Sequence, residues 1–95
     1  MQTIWKFPII VDDYFEVTMP VEAEVLSVQT QGGLPVMWAS VDSEADVETR
    51  GFCLRGTGHP LDGDEGRFVG SFQLLGGSLV YHLFEANVEI GTSDE

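Results

Sequence analysis

Ninety-five residues make one domain, and 43% hydrophobic residues with only four prolines argue for a packed core and against disorder. Sixteen Asp and Glu against four Lys and Arg give a formal net charge of −12. That balance excludes the usual nucleic-acid and anionic-membrane binders, which neutralise phosphates with clustered cations, so a charged partner is expected to be basic.

Strand signals dominate the chain. "TIWKFPII" (3–10) reads as a first strand whose far half Pro8 confines to an edge or a bend. "YFEVTM" (14–19) alternates, with Phe15, Val17 and Met19 inward, Tyr14, Glu16 and Thr18 outward, and Pro20 as the stop. "EVLSVQTQ" and "PVMWASV" flank Gly32-Gly33, and two glycines between extended runs suit a two-residue hairpin whose centre needs positive φ. The register sets Gln31 opposite Leu34, Gln29 opposite Val36 and Ser27 opposite Trp38. Pro35, which lacks a donor, is tolerated there only if that end of the strand is an edge.

The acidic stretch "VDSEADVETR" (41–50) reads as a connecting loop that can hold one helical turn capped by Ser43. "GFCLRGT" is a short strand with Phe52 and Leu54 on one face, and "GHPLDGDEG" is a loop rich in turn formers. "RFVGSFQLL" and "SLVYHLFE" follow, joined at Gly76-Gly77 as a second tight hairpin. The fold class is all-β: a small antiparallel β-barrel or sandwich of six to seven short strands with two Gly-Gly hairpins. Residues 1–85 form the single β domain, and residues 86–95 are expected to be a loose acidic C-terminal tail.

The last hairpin is apolar on both faces. Leu75 facing Ser78, Phe72 facing Tyr81, Ser71 facing His82 and Val69 facing Phe84 put Phe68, Gly70, Phe72, Leu74, Leu79, Tyr81 and Leu83 on a core face. The other face carries Val69, Ser71, Gln73, Val80, His82 and Phe84, which is too apolar for bare solvent. Either this chain covers it, by its N-terminal strand or C-terminal tail, or another molecule does, most simply a second copy. Self-coverage comes first. The candidate protein interface is therefore Gln73, Val80, His82 and Phe84, with Trp5 and Trp38 added because Trp is favoured at interface centres.

Chemistry-bearing constellations are sparse. His59, His82 and Cys53 stand at no zinc spacing, "DGDEG" (62–66) lacks the ligand ladder of a calcium loop and reads as a solvated acidic turn, and no metal or cofactor is expected. Ser71 opposite His82 is a nucleophile–base pair with no acid placed to orient the imidazole, so no catalytic residue is assigned and the chain is not expected to be an enzyme. "RGTGHP" (55–60) is the most distinctive polar stretch. Its functional reading is an anion or nucleotide nest of Arg55, Gly56, Gly58 and His59, and its plain reading is a structural turn, which we favour because no helix follows to seat a phosphate. The single cysteine, Cys53, forms no internal disulfide and suits a reducing cytoplasm, no signal peptide is evident, and no apolar run approaches the ~20 residues of a membrane span.

"TIWKFPI", "VMWASVD", "GTGHPL" and "GRFVGSFQLLGGSLVYHLFE" resemble a group of short uncharacterised tailed-phage and prophage proteins, over residues 2–85. The resemblance implies a small phage-encoded protein acting in the host cytoplasm, and no activity or site residues. With it, we expect a non-enzymatic protein that binds a host or phage protein with a basic surface, such as a host defence system that it inhibits. Its acidic segments 42–48, 62–65 and 85–95 would lie where phosphates do. An anion- or nucleotide-sequestering module and an oligomeric virion or accessory structural protein, a homodimer in the simplest case, are the alternatives. Neither direct nucleic-acid binding nor membrane insertion is expected.

Overall fold

The computed structural model describes residues 1–86. Among these residues seven strands form: β1 (Gln2–Pro8), β2 (Tyr14–Pro20), β3 (Glu24–Gln31), β4 (Leu34–Asp42), β5 (Val47–Gly56), β6 (Arg67–Leu74) and β7 (Leu79–Glu85). They make two antiparallel sheets, ordered β1-β4-β3 and β2-β5-β7-β6. The sheets face one another as an open sandwich and are not closed into a barrel.

The core lies between them. Met37, Ala39, Val41, Val25 and Val28 from the first sheet meet Phe15, Met19, Phe52, Leu54, Phe72 and Leu83 from the second. Six of the largest side chains there, Phe52, Met19, Met37, Leu54, Leu83 and Val41, are fully buried. Each contributes about 1.5–3 kcal/mol relative to exposure, which is what a chain with no cross-link has to rely on. Phe15 stacks on Phe52 at a centroid distance of 5.5 Å, and Phe15, Val17 and Met19 point inward as their alternation predicts.

On one side of the sandwich β3 and β6 run alongside each other without sharing a ladder. Thr30 Oγ1 donates to the Gln73 carbonyl at 2.5 Å, and a Cβ at Gly70 would sit 3.0 Å from Val28 Cγ1, so a side chain there would force the strands apart. β1 and β2, on the far side, make no such approach.

The first diglycine turn matches its sequence register as far as Ser27, where a bulge follows: Gln31 pairs with Leu34, Gln29 with Val36 and Ser27 with Trp38. Gly32 and Gly33 take φ of 59° and 83°, the left-handed region that matches the strand twist and that residues with a Cβ avoid. β4 proves to be the central strand of its sheet. Pro35 is accommodated because the β1 ladder ends one residue short of it, at the Pro8–Val36 pair, and its carbonyl still accepts from Ile9 N–H.

Several expectations are corrected. The acidic loop shrinks to Ser43–Asp46, since β4 runs on to Asp42 and β5 starts at Val47, where the β-branched Val47 and Thr49 pair with β2. The last hairpin keeps Phe72 opposite Tyr81 and Ser71 opposite His82, but pairing stops at Leu74–Leu79 and the turn widens to Leu75–Ser78. A bulge between Phe68 and Gly70 then replaces Val69–Phe84 by Phe68–Phe84. It also swaps the faces of two residues: Val69 packs against the core, while Phe68 turns outward and is 55% exposed.

The cover over the outer face of that hairpin is neither the N-terminal strand nor, within the described residues, the tail, most of which lies beyond them. β5 and β6 run parallel with β7 between them, so the chain must pass across β7 from one end of the sheet to the other. Residues 57–66 make that crossing on the outer face.

Candidate functional site

The crossing segment is anchored by its own acid. Glu65, 4% exposed, accepts the backbone N–H groups of Asp62 (2.6 Å) and Gly63 (3.1 Å), and its Oε2 lies 3.5 Å from Arg55 Nε. Those donors, the Asp62 N–H first, hold its carboxyl below the usual carboxylate range against the opposing effect of desolvation. "DGDEG" is therefore not a solvated turn at its fourth residue.

Arg55 is fully committed. Its Nη1 donates to the carbonyls of Asp13 (3.1 Å) and Leu54 (2.9 Å), and its Nη2 faces Asp62 at 3.9 Å. Arg55, Gly56, Gly58 and His59 do come together, with the His59 ring laid against Gly56 so closely that a Cβ would meet its Cε1 at 3.0 Å. The guanidinium, though, is already matched by two carboxylates and offers an incoming anion little. Asp62, Asp64 and Glu65 bring their oxygens within 4.8 Å of one another, but the buried one is spent on backbone donors and on Arg55. Cys53 lies beneath the same segment, 8% exposed, and burial pushes its thiol up, which makes it an unreactive filler.

Beyond Gly56 the strand leaves the sheet. His59 N–H closes a tight turn onto the Gly56 carbonyl at 3.0 Å with Gly58 at φ 88°, and Thr57 N–H bonds the Val80 carbonyl at 3.1 Å. This carries the β5–β7 register one pair further and sets Thr57 beside β7, on the same face as His82. Thr57 Oγ1 lies 2.7 Å from His82 Nε2, and Ser71 Oγ lies 2.7 Å from His82 Nδ1. Each hydroxyl can donate or accept, so the two together hold both ring nitrogens and fix the orientation of the imidazole. No carboxylate among the described residues bonds the ring.

Between this array and the segment's apolar limb lies a cleft of about 270 Å³, lined by Thr57, His59, Leu61, Phe68, His82 and Phe84 with Arg55 and Gly56. Phe68 meets Phe84 edge-on at 5.6 Å, and Leu61 and Phe68 are 62% and 55% exposed. Larger hollows lie along Gly63–Arg67 and Glu85 and between the two hairpin tips, but neither joins aromatic rings to imidazole nitrogens.

The residues expected to form one interface divide. Gln73, Val80, His82 and Phe84 share the outer face of the second sheet, while Trp5 and Trp38 belong to the first sheet and point to opposite sides of it, Trp5 with the inward Ala39 and Trp38 with the outward Lys6. Sequence reasoning missed Leu61, Phe68 and Thr57. The available signals were Gly70, since a glycine inside a strand marks a bulge, and the glycines on either side of Thr57.

Charge is distributed with equal consistency. Among the described residues, Arg50 pairs with Glu85 and Glu48, Arg67 with Glu85, and Arg55 with Glu65 and Asp62. Lys6 has no carboxylate partner among the described residues and bonds Gln31 instead, at 2.7 Å. Residues 1–92 match a family model described as a domain of unknown function (DUF7352), and no curated protein or solved structure matches.

Proposed function

We propose that this chain, which belongs to the DUF7352 family, is a protein-binding module whose docking face is the cleft beside the crossing segment. The observation that carries the reading is the cluster of exposed Leu61 and Phe68 on half-buried Phe84, next to His59 and His82, in a molecule of net charge −12. Exposed aromatic groups supply anchoring area, and the surrounding carboxylates favour a basic partner and steer its approach. The resemblance to tailed-phage proteins makes a host protein the partner, with a defence factor that offers a basic nucleic-acid groove as the fitting class. The anion-sequestering alternative is disfavoured by the pairing of Arg55.

Affinity capture from bacterial lysate by the wild-type chain and by Phe68→Asp tests this. Phe68 is surface-exposed, so the variant is expected to keep its fold, checked by circular dichroism. A bound protein should be retained by the wild type, lost with Phe68→Asp, and released at about 1 M salt, where the Debye length falls to about 3 Å. Equal capture by both chains, or retention at high salt, would reject the reading.

A further inference from the structure

The two open edges of the sandwich differ in charge. β2 carries Glu16, while β1 has no acidic residue, and neither does any position from 1 to 11. β6 is also free of acids but lies alongside β3. β1 is exposed at five of its seven residues, including Ile4 at 58% and Trp5 at 41%. Trp5 sits on the inward side with Phe7, at a ring distance of 6.5 Å, where the second sheet does not reach over it.

The ladder fixes which backbone groups are free. Ile9 N–H bonds the Pro35 carbonyl and Ser43 N–H bonds the Met1 carbonyl, so the odd-numbered residues of β1 turn their polar groups toward β4. Gln2, Ile4 and Lys6 therefore point their N–H and C=O groups out of the sheet, and Pro8 closes the row with no donor. Among the described residues nothing pairs with these groups, and such a row of donors and acceptors is a template for another strand.

We propose that two copies of this chain pair through β1, antiparallel about a two-fold axis, and join their three-stranded sheets into one of six strands. The occupant is a second copy because two bodies of net charge −12 can bring backbones together only where no carboxylate faces its like, and β1 is the open edge that meets this condition. The strand is also self-complementary. With Ile4 opposite Ile4 of the second copy, Gln2 stands opposite Lys6 of the second copy, and all three outward donors are satisfied. Pro8 falls just outside the pairing and stops it from extending. Trp5 then lies beside Thr3 of the second copy, which covers its exposed side. The edge is short, so the dimer is weak.

Sedimentation equilibrium on the full chain tests this. A concentration-dependent monomer–dimer equilibrium is expected, and it tightens as salt rises from about 0.1 M to about 1 M because screening removes the repulsion between the two acidic bodies. Ile4→Pro deletes one outward N–H and leaves the β4-facing ladder whole, so the dimer should be lost while the circular dichroism spectrum and thermal midpoint stay near wild type. Should that variant misfold, Lys6→Glu places an acid on the edge and should weaken the dimer most at low salt. With Trp38→Phe as background, Trp5 emission should shift to the blue as concentration rises. A monomer at every concentration and salt overturns the proposal, and so does a dimer that survives both Ile4→Pro and Lys6→Glu. Failure here is separable from failure of the docking face: Phe68→Asp should leave the dimer intact, and salt should act on the two associations in opposite directions.

Discussion

The two diglycine hairpins begin from the same local instruction and end differently. In β3–β4 the turn, the register and the inward face all follow from Gly32-Gly33, although a bulge intervenes further along, between Val25 and Ser27. In β6–β7 the register near the turn also follows, but Leu75 joins the turn at φ 51°, and the bulge between Phe68 and Gly70 reassigns the far half. Turn chemistry thus governs the nearest few pairs. Beyond them, the neighbours decide: β6 must lie against β3 at Gly70 and receive the crossing segment at Arg67, and a bulge is how a strand meets both demands.

The difference can be tested by substitution, from the largest effect to the smallest. Leu83→Ala, on the second hairpin and fully buried, should cost about 2–5 kcal/mol in urea unfolding, whereas Leu34→Ala at the exposed tip of the first should stay within about 0.5 kcal/mol. Val69→Asp against Phe68→Asp probes the bulge itself. A charge at the core-packed Val69 should cost several kcal/mol, and one at Phe68 only about 0.5–1.5 kcal/mol, the worth of its edge-on contact with Phe84, whereas an unbulged register requires the reverse order. Gly33→Ala, forced into φ 83°, should cost about 1–2 kcal/mol by the same measurement.

The smallest effect concerns the crossing segment. The Glu65 pKa is lowered in the folded chain, so its contribution to stability is present above the ordinary carboxylate range and is lost as pH falls through the lowered value. The thermal midpoint of wild type minus that of Glu65→Gln should therefore be positive at neutral pH and vanish in acid. A difference independent of pH would mean that Glu65 does not hold the segment through its charge.

What the sequence discloses follows the same boundary. The all-β class, the alternation of Phe15, Val17 and Met19, and the pairing of Ser71 with His82 rest on period-two patterning and turn residues, which act over a few positions. Thr57 beside His82, Glu65 beneath the segment and Phe68 turned outward rest on β7 lying between β5 and β6 and on the connection that crosses it, and no local pattern encodes which strand lies between two others. The polar "RGTGHP" stretch and the apolar hairpin face were both visible separately. That they form the two walls of one cleft is a fact of strand order.

The position of β7 bears on how the chain is made. It is the last of the seven described strands to leave the ribosome, yet it occupies an interior place in its sheet, between β5 and β6. Until residues 79–85 emerge, β6 has no partner ladder and the crossing segment spans an empty slot, so the nascent chain must wait with Phe52 and Leu54 under-covered. Any stop codon before Leu79 leaves that slot unfilled and yields a product for proteases rather than a shortened protein.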